Sequence, residues 1–342
     1  MRHEHRVSDA QAGQTLAAVI RAIVPDLSWR RAAELCASGR VSLDGAVTTD
    51  GAQRVTAGQE VAVDPQGRRR RPEALAEDAI LYLDRDVVVV RKAPGLLTVP
   101  WEVDDGSVTL ADLTREALQL RHRPAGLRHL PPLGVVSRLD KDSSGVVVFA
   151  RNEEARELLE RRFEAHDIER RYLAIVHGTP REGRIESVLA PDRGDGLRGS
   201  LGAFAPRHGP PPGPPPGPFP GGAQRAVTLL RVLERLGPAS LVECSLETGR
   251  KHQIRIHLAE AGCPVVGEKV YIRGFQGAPI AAPRTMLHAA VLGFSHPRTG
   301  RLVRVEDAPP EDFLDLLARL RGADAGPPPG PPGRPEASPR GR

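Results

Sequence analysis

The sequence predicts an α+β protein with about two domains. Its 342 residues are sufficient for two hydrophobic cores of ordinary size. Apolar residues repeat at helical spacing in some segments, whereas other segments alternate or run continuously apolar over a few residues. Helical and β-type patterns of this kind indicate that both helices and strands contribute to the fold.

The composition favours a cytoplasmic protein with a polyanionic partner. The net charge of +5 favours such a partner without establishing it. The three cysteines, Cys36, Cys244 and Cys263, are far apart, which argues against disulfides and a cysteine zinc site and is typical of a reducing compartment. No apolar run of about 18 residues and no signal sequence occur, so we expect neither membrane insertion nor secretion.

The first domain is predicted to begin with two helices. Residues 1–13 lack an apolar pattern and are expected to form a flexible polar lead. A first amphipathic helix is predicted over residues 16–24. Ser28 is the expected N-cap of a second helix, which ends at Gly39. The apolar face of this second helix is predicted to consist of Trp29, Ala32, Ala33 and Cys36.

The module at residues 14–64 resembles the S-four-type RNA-binding domain. Short strands are predicted at 41–43, closed by an Asp-Gly turn, and at 60–63. The order of the elements and the segments GRVSLDG and GQEV match the pattern of that family. The resemblance implies that this small α/β domain binds RNA through residues that flank its second helix, namely Arg30, Arg31 and Arg40. The alternative for these arginines is a solvated helix face.

The remainder of the chain is predicted to contain a linker, a larger domain and a tail. Residues 65–78 include four consecutive arginines and a proline, which indicates a basic linker that could also lie along phosphates. The larger domain spans residues 79–321. Its segment at about 205–223 is rich in proline and glycine, so we expect a disordered insertion. The tail at 322–342 is also expected to be disordered.

The larger domain shows a succession of strand and helix patterns. Strands are predicted at 87–90, 146–149, 171–176, 226–230 and 241–246. Helices are predicted at 107–120, after the N-cap Asn152, at 254–261 and at 313–320.

Two charged clusters in this domain indicate chemistry. Residues 138–140 read Arg-Leu-Asp close to an apolar strand, and residues 250–255 read Arg-Lys-His-Gln-Ile-Arg. An aspartate near an arginine in a shielded cleft stays ionised and can act as nucleophile or base. The alternative is a buried pair that only stabilises the fold. A single carboxylate disfavours ordinary glycoside hydrolysis, which uses two.

Three histidines in the larger domain raise the question of a metal site. His252 and His257 are five residues apart on a predicted helix and do not share a face well, and His288 lies elsewhere in the sequence. A structural or RNA-contacting role is therefore favoured. We expect no metal and no organic cofactor.

At these residues the chain resembles the RluA-type family of pseudouridine synthases. The signature around the catalytic aspartate of that family appears as SRLDKDSSG at 137–145, and a second signature appears as RRYLAIVHG at 170–178. A third, TGRKHQIRIH, occupies 248–257 and is followed by GCPVVGEKVY at 262–271. The segment LHAAVLGFSHP at 287–297 completes the series in family order.

The resemblance implies a role for each matching residue. Asp140 would be the catalytic nucleophile, and Arg138 would take the place of a uridine flipped out of the RNA. Tyr172 would stack on the uracil, and Ile254 would line the base pocket. Arg255 would form a salt bridge that keeps Asp140 ionised. Three further candidates for substrate binding are Arg250, His252 and Lys92.

The resemblance also implies the fold and the activity of the larger domain. Its fold would be a mixed, mainly antiparallel sheet flanked by helices, and its activity the isomerisation of uridine to pseudouridine in structured RNA. Large-subunit ribosomal RNA is the favoured substrate, because the appended RNA-binding module is commoner on members with that substrate. Transfer RNA is the second candidate, and a monomer is expected.

Two other classes of function stay open at this point. The first is a non-catalytic RNA-binding or ribosome-assembly factor that uses the same surface. The second is a nucleoside hydrolase or glycosylase that releases free base, for which Asp142 would be the further carboxylate.

Three positions depart from the family's signatures. Ser137 stands where the family has His or Gly, and Arg170 stands where it has Lys. Pro94 is shifted by one residue relative to the family's K-P-x-G turn. None of these changes removes a residue with an implied catalytic role, so an active enzyme is expected.

Overall fold

The chain forms two compact units. The structure is a computed structural model that describes residues 2–48, 51, 53–66, 74–100, 107–122, 132–192, 197–201 and 220–324. The first unit is built from Met1–Arg170 and Ala289–Asp307, and the second from Arg171–His288 and Ala308–Arg342. The helices in these ranges include none of the length and apolarity needed to cross a bilayer.

The N-terminal part of the first unit has its own sheet and hydrophobic core. Its elements are β1 (His3–Arg6), α1 (Leu16–Ile23), α2 (Trp29–Ala37), β2 (Val41–Leu43), β3 (Ala46–Val47) and β4 (Glu60–Val63). The strands are antiparallel neighbours in the order β1-β4-β2-β3. Apolar residues of the helices and strands, including Leu16, Ile20, Leu35, Val41 and Val61, are buried in one cluster. The helices and strands predicted for this module are thus confirmed.

The ends of these elements follow from local sequence signals. The Ser28 hydroxyl accepts a hydrogen bond from the Arg31 amide at 3.1 Å and caps α2, as predicted. Gly39 ends that helix with a φ of +68°. Asp44 and Gly45 both have positive φ, which is the backbone shape of a tight hairpin turn between β2 and β3.

The expectation of a flexible lead at residues 1–13 is wrong. His3–Arg6 forms a strand that pairs with β4, with His3 opposite Val63 and Arg6 opposite Glu60. This strand is held by backbone hydrogen bonds, and its alternating polar side chains carry no hydrophobic signal. Val7, which follows the strand, is buried in the core of the module.

The apolar face predicted for α2 is also partly wrong. Ala32 and Cys36 are buried, but Ala33 is exposed and Trp29 is 56% exposed. The guanidinium of Arg21 lies 4.4 Å from the centre of the Trp29 ring. Trp29 is the first residue of the helix, where a side chain at core spacing can still lie outside the packed surface.

The remaining elements alternate strands and helices. In chain order they are β5 (Ile80–Leu83), β6 (Val87–Lys92), α3 (Leu110–His122), β7 (Gly134–Val135), β8 (Ser144–Ala150), α4 (Glu153–Glu164), β9 (Glu169–His177), β10 (Gly183–Ala190), β11 (Gly199–Ser200), β12 (Gln224–Leu236), β13 (Ala239–Leu246), α5 (Gln253–Glu260), β14 (Leu287–Ser295), β15 (Leu302–Glu306) and α6 (Glu311–Asp324). Every strand and helix predicted for the larger domain corresponds to one of these elements.

In the first unit, the apolar strands lie in the middle of the sheet. The strand order is β14-β8-β6-β5, with β15 paired to β14 and β7 paired to β8. Alternate valines of β6 and β8 belong to two different clusters, so both faces of the sheet are buried. Leu110 and Leu118 of α3 pack in one cluster, and Ala155 and Leu159 of α4 pack in the other.

In the second unit, the strands follow the order β11-β10-β12-β13-β9. Neighbouring strands in this order are antiparallel. The core of the unit includes Ile175 of β9, Val242 of β13, Ile254 and Leu258 of α5 and Phe313 of α6. One helix that carries signature residues, α5, is therefore fixed against the sheet by its apolar side chains.

The predicted fold class is confirmed as α+β with a mixed, mainly antiparallel sheet. The arginine run of the linker at 68–71, most of the Pro/Gly insertion and residues 325–342 of the tail lie outside the described residues. The last helix continues to Asp324, beyond the predicted domain end at 321.

Candidate active site

The aspartate signature forms a loop in the first unit between β7 and β8. Arg138 is exposed and Asp140 is half-buried. The amide of Ser143 donates a hydrogen bond to the carbonyl oxygen of Asp140 at 3.2 Å, which closes a tight turn. Asp140 thus offers a partly accessible carboxylate two residues from an exposed guanidinium.

Lys92 anchors this loop from the end of β6. Its side chain is fully buried, and Nζ donates to the carbonyl oxygens of Ala93 at 3.0 Å, Leu96 at 2.7 Å and Lys141 at 2.8 Å. An ammonium group can be buried at tolerable cost when hydrogen bonds of this number replace its hydration. We expected Lys92 to bind substrate. The structure instead directs its charge at the backbone next to Asp140.

The turn that follows Lys92 also contacts the loop. Gly95 has a φ of +79°, and its amide donates to the Lys141 carbonyl oxygen at 2.8 Å. The carbonyl of the residue after Asp140 therefore accepts hydrogen bonds from both Lys92 and Gly95. The shifted position of Pro94 does not prevent the formation of this turn.

Gly145, at the start of β8, occupies a position that no other residue fits. Its φ is +115°, and a Cβ atom built there would lie 2.2 Å from the carbonyl oxygen of Ala289. The backbone of β8 therefore approaches the strand that contains Ala289 at the point where the loop ends. This close approach is the physical reason for a glycine at the end of the aspartate signature.

In the second unit, Gln253 fixes the segment that leads into α5. Its side-chain oxygen accepts hydrogen bonds from the Thr248 hydroxyl at 2.7 Å and the Arg250 amide at 3.0 Å. Its side-chain nitrogen donates to the Val227 carbonyl at 2.9 Å and to the Thr228 hydroxyl at 3.0 Å. The third signature thus forms a buried network between β12 and the start of the helix.

Arg255 on α5 forms a bidentate ion pair with Glu268. Nε donates to Oε2 at 2.7 Å, and Nη2 donates to Oε1 at 2.8 Å. Oε1 also accepts hydrogen bonds from the amides of Lys269, Val270 and Tyr271. Burial raises the pKa of Glu268, but the hydrogen bonds and the charge of Arg255 outweigh it, so the pKa lies below its usual value.

Tyr271 contacts both Arg255 and His252. The guanidinium carbon of Arg255 lies 5.3 Å from the centre of the Tyr271 ring. Nδ1 of His252 lies 2.7 Å from the Tyr271 hydroxyl oxygen. His252 has a φ of +61° and precedes α5 as its N-cap residue. Arg250 is half-buried, and its Nε donates to the Arg225 carbonyl at 3.0 Å.

Tyr172 and Ile254 both belong to the apolar core region of the second unit. Tyr172 lies on β9 opposite Cys244 and is partly buried against the main cluster. Ile254 is a member of that cluster and is only 4% exposed. The predicted uracil-stacking residue and the predicted pocket residue therefore share one apolar surface.

The arginines of the N-terminal module differ in their surroundings. Arg31 is exposed, and its guanidinium donates to Glu34 at 2.8 Å on the same helix. Arg40 is half-buried, and its carbonyl accepts from the Asp64 amide at 2.9 Å. The side chain of Arg30 lies outside what the structure describes. Arg31 and Arg40 stay candidate RNA contacts.

Among the residues that the structure describes, one group combines three potential metal ligands, Asp84, Asp86 and His296. Arg298 binds both carboxylate oxygens of Asp86, and Asn152 donates to one of them at 2.8 Å. Asp84 Oδ2 lies 2.7 Å from His296 Nε2 and accepts from the Tyr82 hydroxyl at 2.7 Å. Arginine, asparagine, tyrosine and histidine side chains thus bind these carboxylates in a hydrogen-bonded ion-pair network.

His257 has the surroundings of a structural histidine, one of the two roles that the sequence left open. It is fully buried, with Nε2 3.0 Å from the Ser187 hydroxyl and Nδ1 2.9 Å from the Thr228 hydroxyl. Burial lowers its pKa to about 4. His288 is also fully buried, on β14.

Sequence reasoning assigned no role to Glu268 or Tyr271. Both lie in the signature at 262–271, so their positions were visible in the sequence. Their partners were not, because Arg255 and His252 are separated from them by 13 and 19 residues.

Each unit holds functional groups of a different kind. The first unit holds a carboxylate on a backbone fixed from β6, and the second holds an apolar surface with a tyrosine and a paired arginine. A carboxylate of this kind can act as nucleophile, and an aromatic ring on an apolar floor can stack on a flat base.

The chain is similar to known RNA-modifying enzymes. A family model described as RNA pseudouridylate synthase matches residues 86–260. Ribosomal large subunit pseudouridine synthase D of Pseudomonas aeruginosa is 34% identical over 322 residues, which are 90% of this chain and 92% of that protein. The protein of the same name from Xylella fastidiosa is 33% identical over 336 residues, which are 92% of this chain and 91% of that protein.

A solved structure supports the same fold. Human RNA Pseudouridylate Synthase Domain Containing 4 aligns with a TM-score of 0.54 and 23% identity, over 71% of this chain and 93% of that chain.

Proposed function

Because the chain belongs to the RNA pseudouridylate synthase family and is a pseudouridine synthase, we propose that Asp140 is its catalytic nucleophile. The observation that carries this proposal is the geometry of the loop at 136–143. Asp140 is half-buried there, while the carbonyl of the next residue, Lys141, is bonded to Lys92 and Gly95. A nucleophile on a fixed backbone loses little freedom when the substrate binds.

The reaction is an isomerisation, so pseudouridine has the same composition as uridine. The bond from N1 to C1′ breaks, the base turns, and a bond from C5 to C1′ forms. The hydrogen on C5 leaves as a proton, and N1 gains a proton. An ionised Asp140 would supply the electron pair that attacks the nucleotide and would take it back as the new carbon–carbon bond forms. The steps need no electron acceptor, so we expect no redox cofactor.

The other signature residues would prepare the nucleotide for this attack. Arg138 is exposed, which suits a side chain that replaces a flipped base in the RNA. Tyr172 would stack on the uracil above the apolar surface that includes Ile254. Arg255, oriented by Glu268, would hold Asp140 ionised through its positive charge.

We propose large-subunit ribosomal RNA as the substrate. The relatives that carry this activity in their names align with nine-tenths of the chain. The N-terminal module would bind RNA in the manner of the S-four-type domain, with Arg30, Arg31 and Arg40 near phosphates. Transfer RNA is the second candidate. We further propose a monomer that acts in the cytoplasm.

The experiment that tests this proposal is pseudouridine mapping of total RNA. Cells that lack the gene are complemented with the wild type, with Asp140→Asn, or with Asp142→Asn as a matched carboxylate on the same loop. We expect sites in large-subunit ribosomal RNA that the wild type and Asp142→Asn restore and Asp140→Asn does not.

Three results would revise the proposal. Restoration by Asp140→Asn would remove Asp140 from its role as nucleophile. Sites confined to transfer RNA would replace the substrate. Binding to ribosomal particles without any change in the pseudouridine map would favour a non-catalytic assembly factor.

A further inference from the structure

A threonine hydroxyl holds the residue directly before Asp140. Thr98 Oγ1 donates to the carbonyl oxygen of Leu139 at 2.9 Å and accepts from the amide of the same residue at 3.1 Å. Thr98 is only 2% exposed, so water does not compete easily for these bonds. One side chain therefore satisfies both backbone polar groups of Leu139.

A serine hydroxyl makes the same pair of bonds one residue before Arg138. Ser137 Oγ donates to the carbonyl oxygen of Val148 and accepts from the amide of Val148, both at 3.2 Å. Val148 lies in the middle of β8, and its neighbours Phe149 and Ala150 pair with β7 through backbone bonds. The Ser137 hydroxyl thus takes the place of a backbone partner where the chain leaves the sheet.

The two hydroxyls hold the backbone of the segment that contains the residues expected to act on the RNA. Ser137 fixes the start of the Arg138–Leu139–Asp140 tripeptide to β8, and Thr98 fixes its middle to the turn after β6. On the far side of Asp140, the Lys141 carbonyl is held by Lys92 and Gly95. The Asp140 backbone is therefore bonded to rigid segments through the residues on both of its sides.

We infer that Thr98 and Ser137 are positioning residues that set the place of Asp140 and Arg138 for the reaction. This inference depends on the proposed role of Asp140 as nucleophile. Neither hydroxyl needs to contact the RNA for this role. Each acts through the backbone of the loop. Ser137 departs from the family's His or Gly, and its hydroxyl both donates to and accepts from the backbone of Val148, which a glycine at this position could not do with a side chain.

The test separates the rate of the chemical step from RNA binding. Total RNA from cells that lack the gene is incubated with an excess of each enzyme variant, and pseudouridine at the affected sites is followed over time. The maximum rate and the enzyme concentration at half-maximal rate are both measured. The variants are Thr98→Val, Thr98→Ser and Ser137→Ala, with Asp140→Asn as the inactive reference.

Thr114→Val is the matched control for Thr98→Val. Thr114 is a fully buried threonine of α3 in the same unit, and its hydroxyl donates to the Leu110 carbonyl at 2.7 Å. The substitution removes an equally buried hydroxyl whose hydrogen bond lies within α3. Circular dichroism at the assay temperature tests whether each variant is folded.

Thr98→Val is expected to lower the maximum rate about 10- to 100-fold, since a small displacement of a reacting group has effects of this size. The half-maximal enzyme concentration should change less than about twofold, because RNA contacts carry the affinity. Thr98→Ser should recover most of the rate, and Ser137→Ala should lower it about 10-fold. Thr114→Val should keep the wild-type rate.

Two outcomes would overturn the inference while leaving Asp140 in its role. One is a folded Thr98→Val variant with the wild-type rate. The other is a Thr98→Val variant whose half-maximal enzyme concentration rises about tenfold at an unchanged maximum rate, which would assign the hydroxyl to RNA binding. Wild-type activity of Asp140→Asn would instead overturn the proposed function on which the inference depends.

Discussion

Glu268 holds the guanidinium of Arg255 through two parallel hydrogen bonds of 2.7 and 2.8 Å. The Glu268 side chain has no exposed surface, and that of Arg255 is 11% exposed. A planar guanidinium that is bound at two nitrogens is fixed in its plane as well as in its position. Arg255 is thus oriented before any RNA binds.

Glu268→Gln is expected to lower the free energy of unfolding by about 3 kcal/mol, because it leaves a largely buried arginine without its counter-charge. Urea unfolding followed by circular dichroism measures the loss. Glu306→Gln is the matched control, since Glu306 is 64% exposed and pairs with Arg304. It should cost less than about 1 kcal/mol. Equal losses in the two variants would contradict the structural importance of the buried pair.

The stability of the first unit is expected to fall in acid because of Asp86. The hydrogen bond from Arg298 lowers the pKa of Asp86 to about 2, against the opposing effect of burial, and Asn152 adds to the lowering. A carboxyl group whose pKa is lower in the folded state stabilises the protein above its unfolded pKa of 3.8 and loses that contribution as the pH falls toward 2.

Asp86→Asn should therefore be less stable than the wild type at neutral pH, and the difference should shrink as the pH falls below about 4. Melting temperatures between pH 3 and pH 7 test this expectation. Asp315→Asn, which changes an exposed carboxylate on α6, is the control and should follow the wild-type curve. A stability difference that is independent of pH would show that Asp86 acts by packing and not by its charge.

Lys92→Met keeps the length of the side chain but removes the donors for three carbonyl oxygens. We expect a loss of about 3 kcal/mol in unfolding free energy, since hydrogen bonds to charged groups contribute about 1.5–3 kcal/mol. Pseudouridine formation should fall as the loop loosens. Lys92→Arg should not restore either property, because the guanidinium differs in shape and the site is fully buried.

Lys251→Met provides the control for stability, because Lys251 is exposed at the surface of the second unit. It should change the unfolding free energy by less than about 0.5 kcal/mol. A Lys92→Met protein as stable as the Lys251→Met protein would refute the anchoring role of Lys92.

Gly145→Ala should destabilise the protein far more than Gly300→Ala. Both glycines have positive φ, but a Cβ at Gly145 would meet the backbone of Ala289, whereas nothing lies within 4 Å of a Cβ at Gly300. The control substitution carries only the conformational cost of about 1 kcal/mol. Thermal melting of the two variants compares them directly. Similar melting temperatures would indicate that the two strands separate easily.

The sequence predicted the elements that depend on local signals. Ser28 and Asn152 cap the helices that follow them, and the valine runs of β6 and β8 form buried strands. These features depend on residues within a few positions of each other, so a single sequence contains enough information to place them.

The features that the sequence could not predict depend on backbone groups that lie far away along the chain. The burial of Lys92 is possible only because the carbonyl of a residue 49 positions away accepts from it. The strand His3–Arg6 forms because β4 offers an edge, and its own residues give no hydrophobic pattern. The roles of the signature residues were predicted from resemblance, and those of Asp140, Tyr172 and Arg255 stay predictions until the experiments above are done.

Lys92 donates to three carbonyl oxygens, and this choice of partners affects how the protein can change over evolutionary time. Every residue has a carbonyl, so the side chains at Ala93, Leu96 and Lys141 can be exchanged without the loss of a single one of these bonds. The shifted position of Pro94 relative to the family's K-P-x-G turn illustrates such freedom. The lysine itself has no substitute of equal shape and charge. Substitutions in this turn are therefore tolerated at the residues that supply the carbonyl oxygens, whereas a substitution of Lys92 removes the bonds.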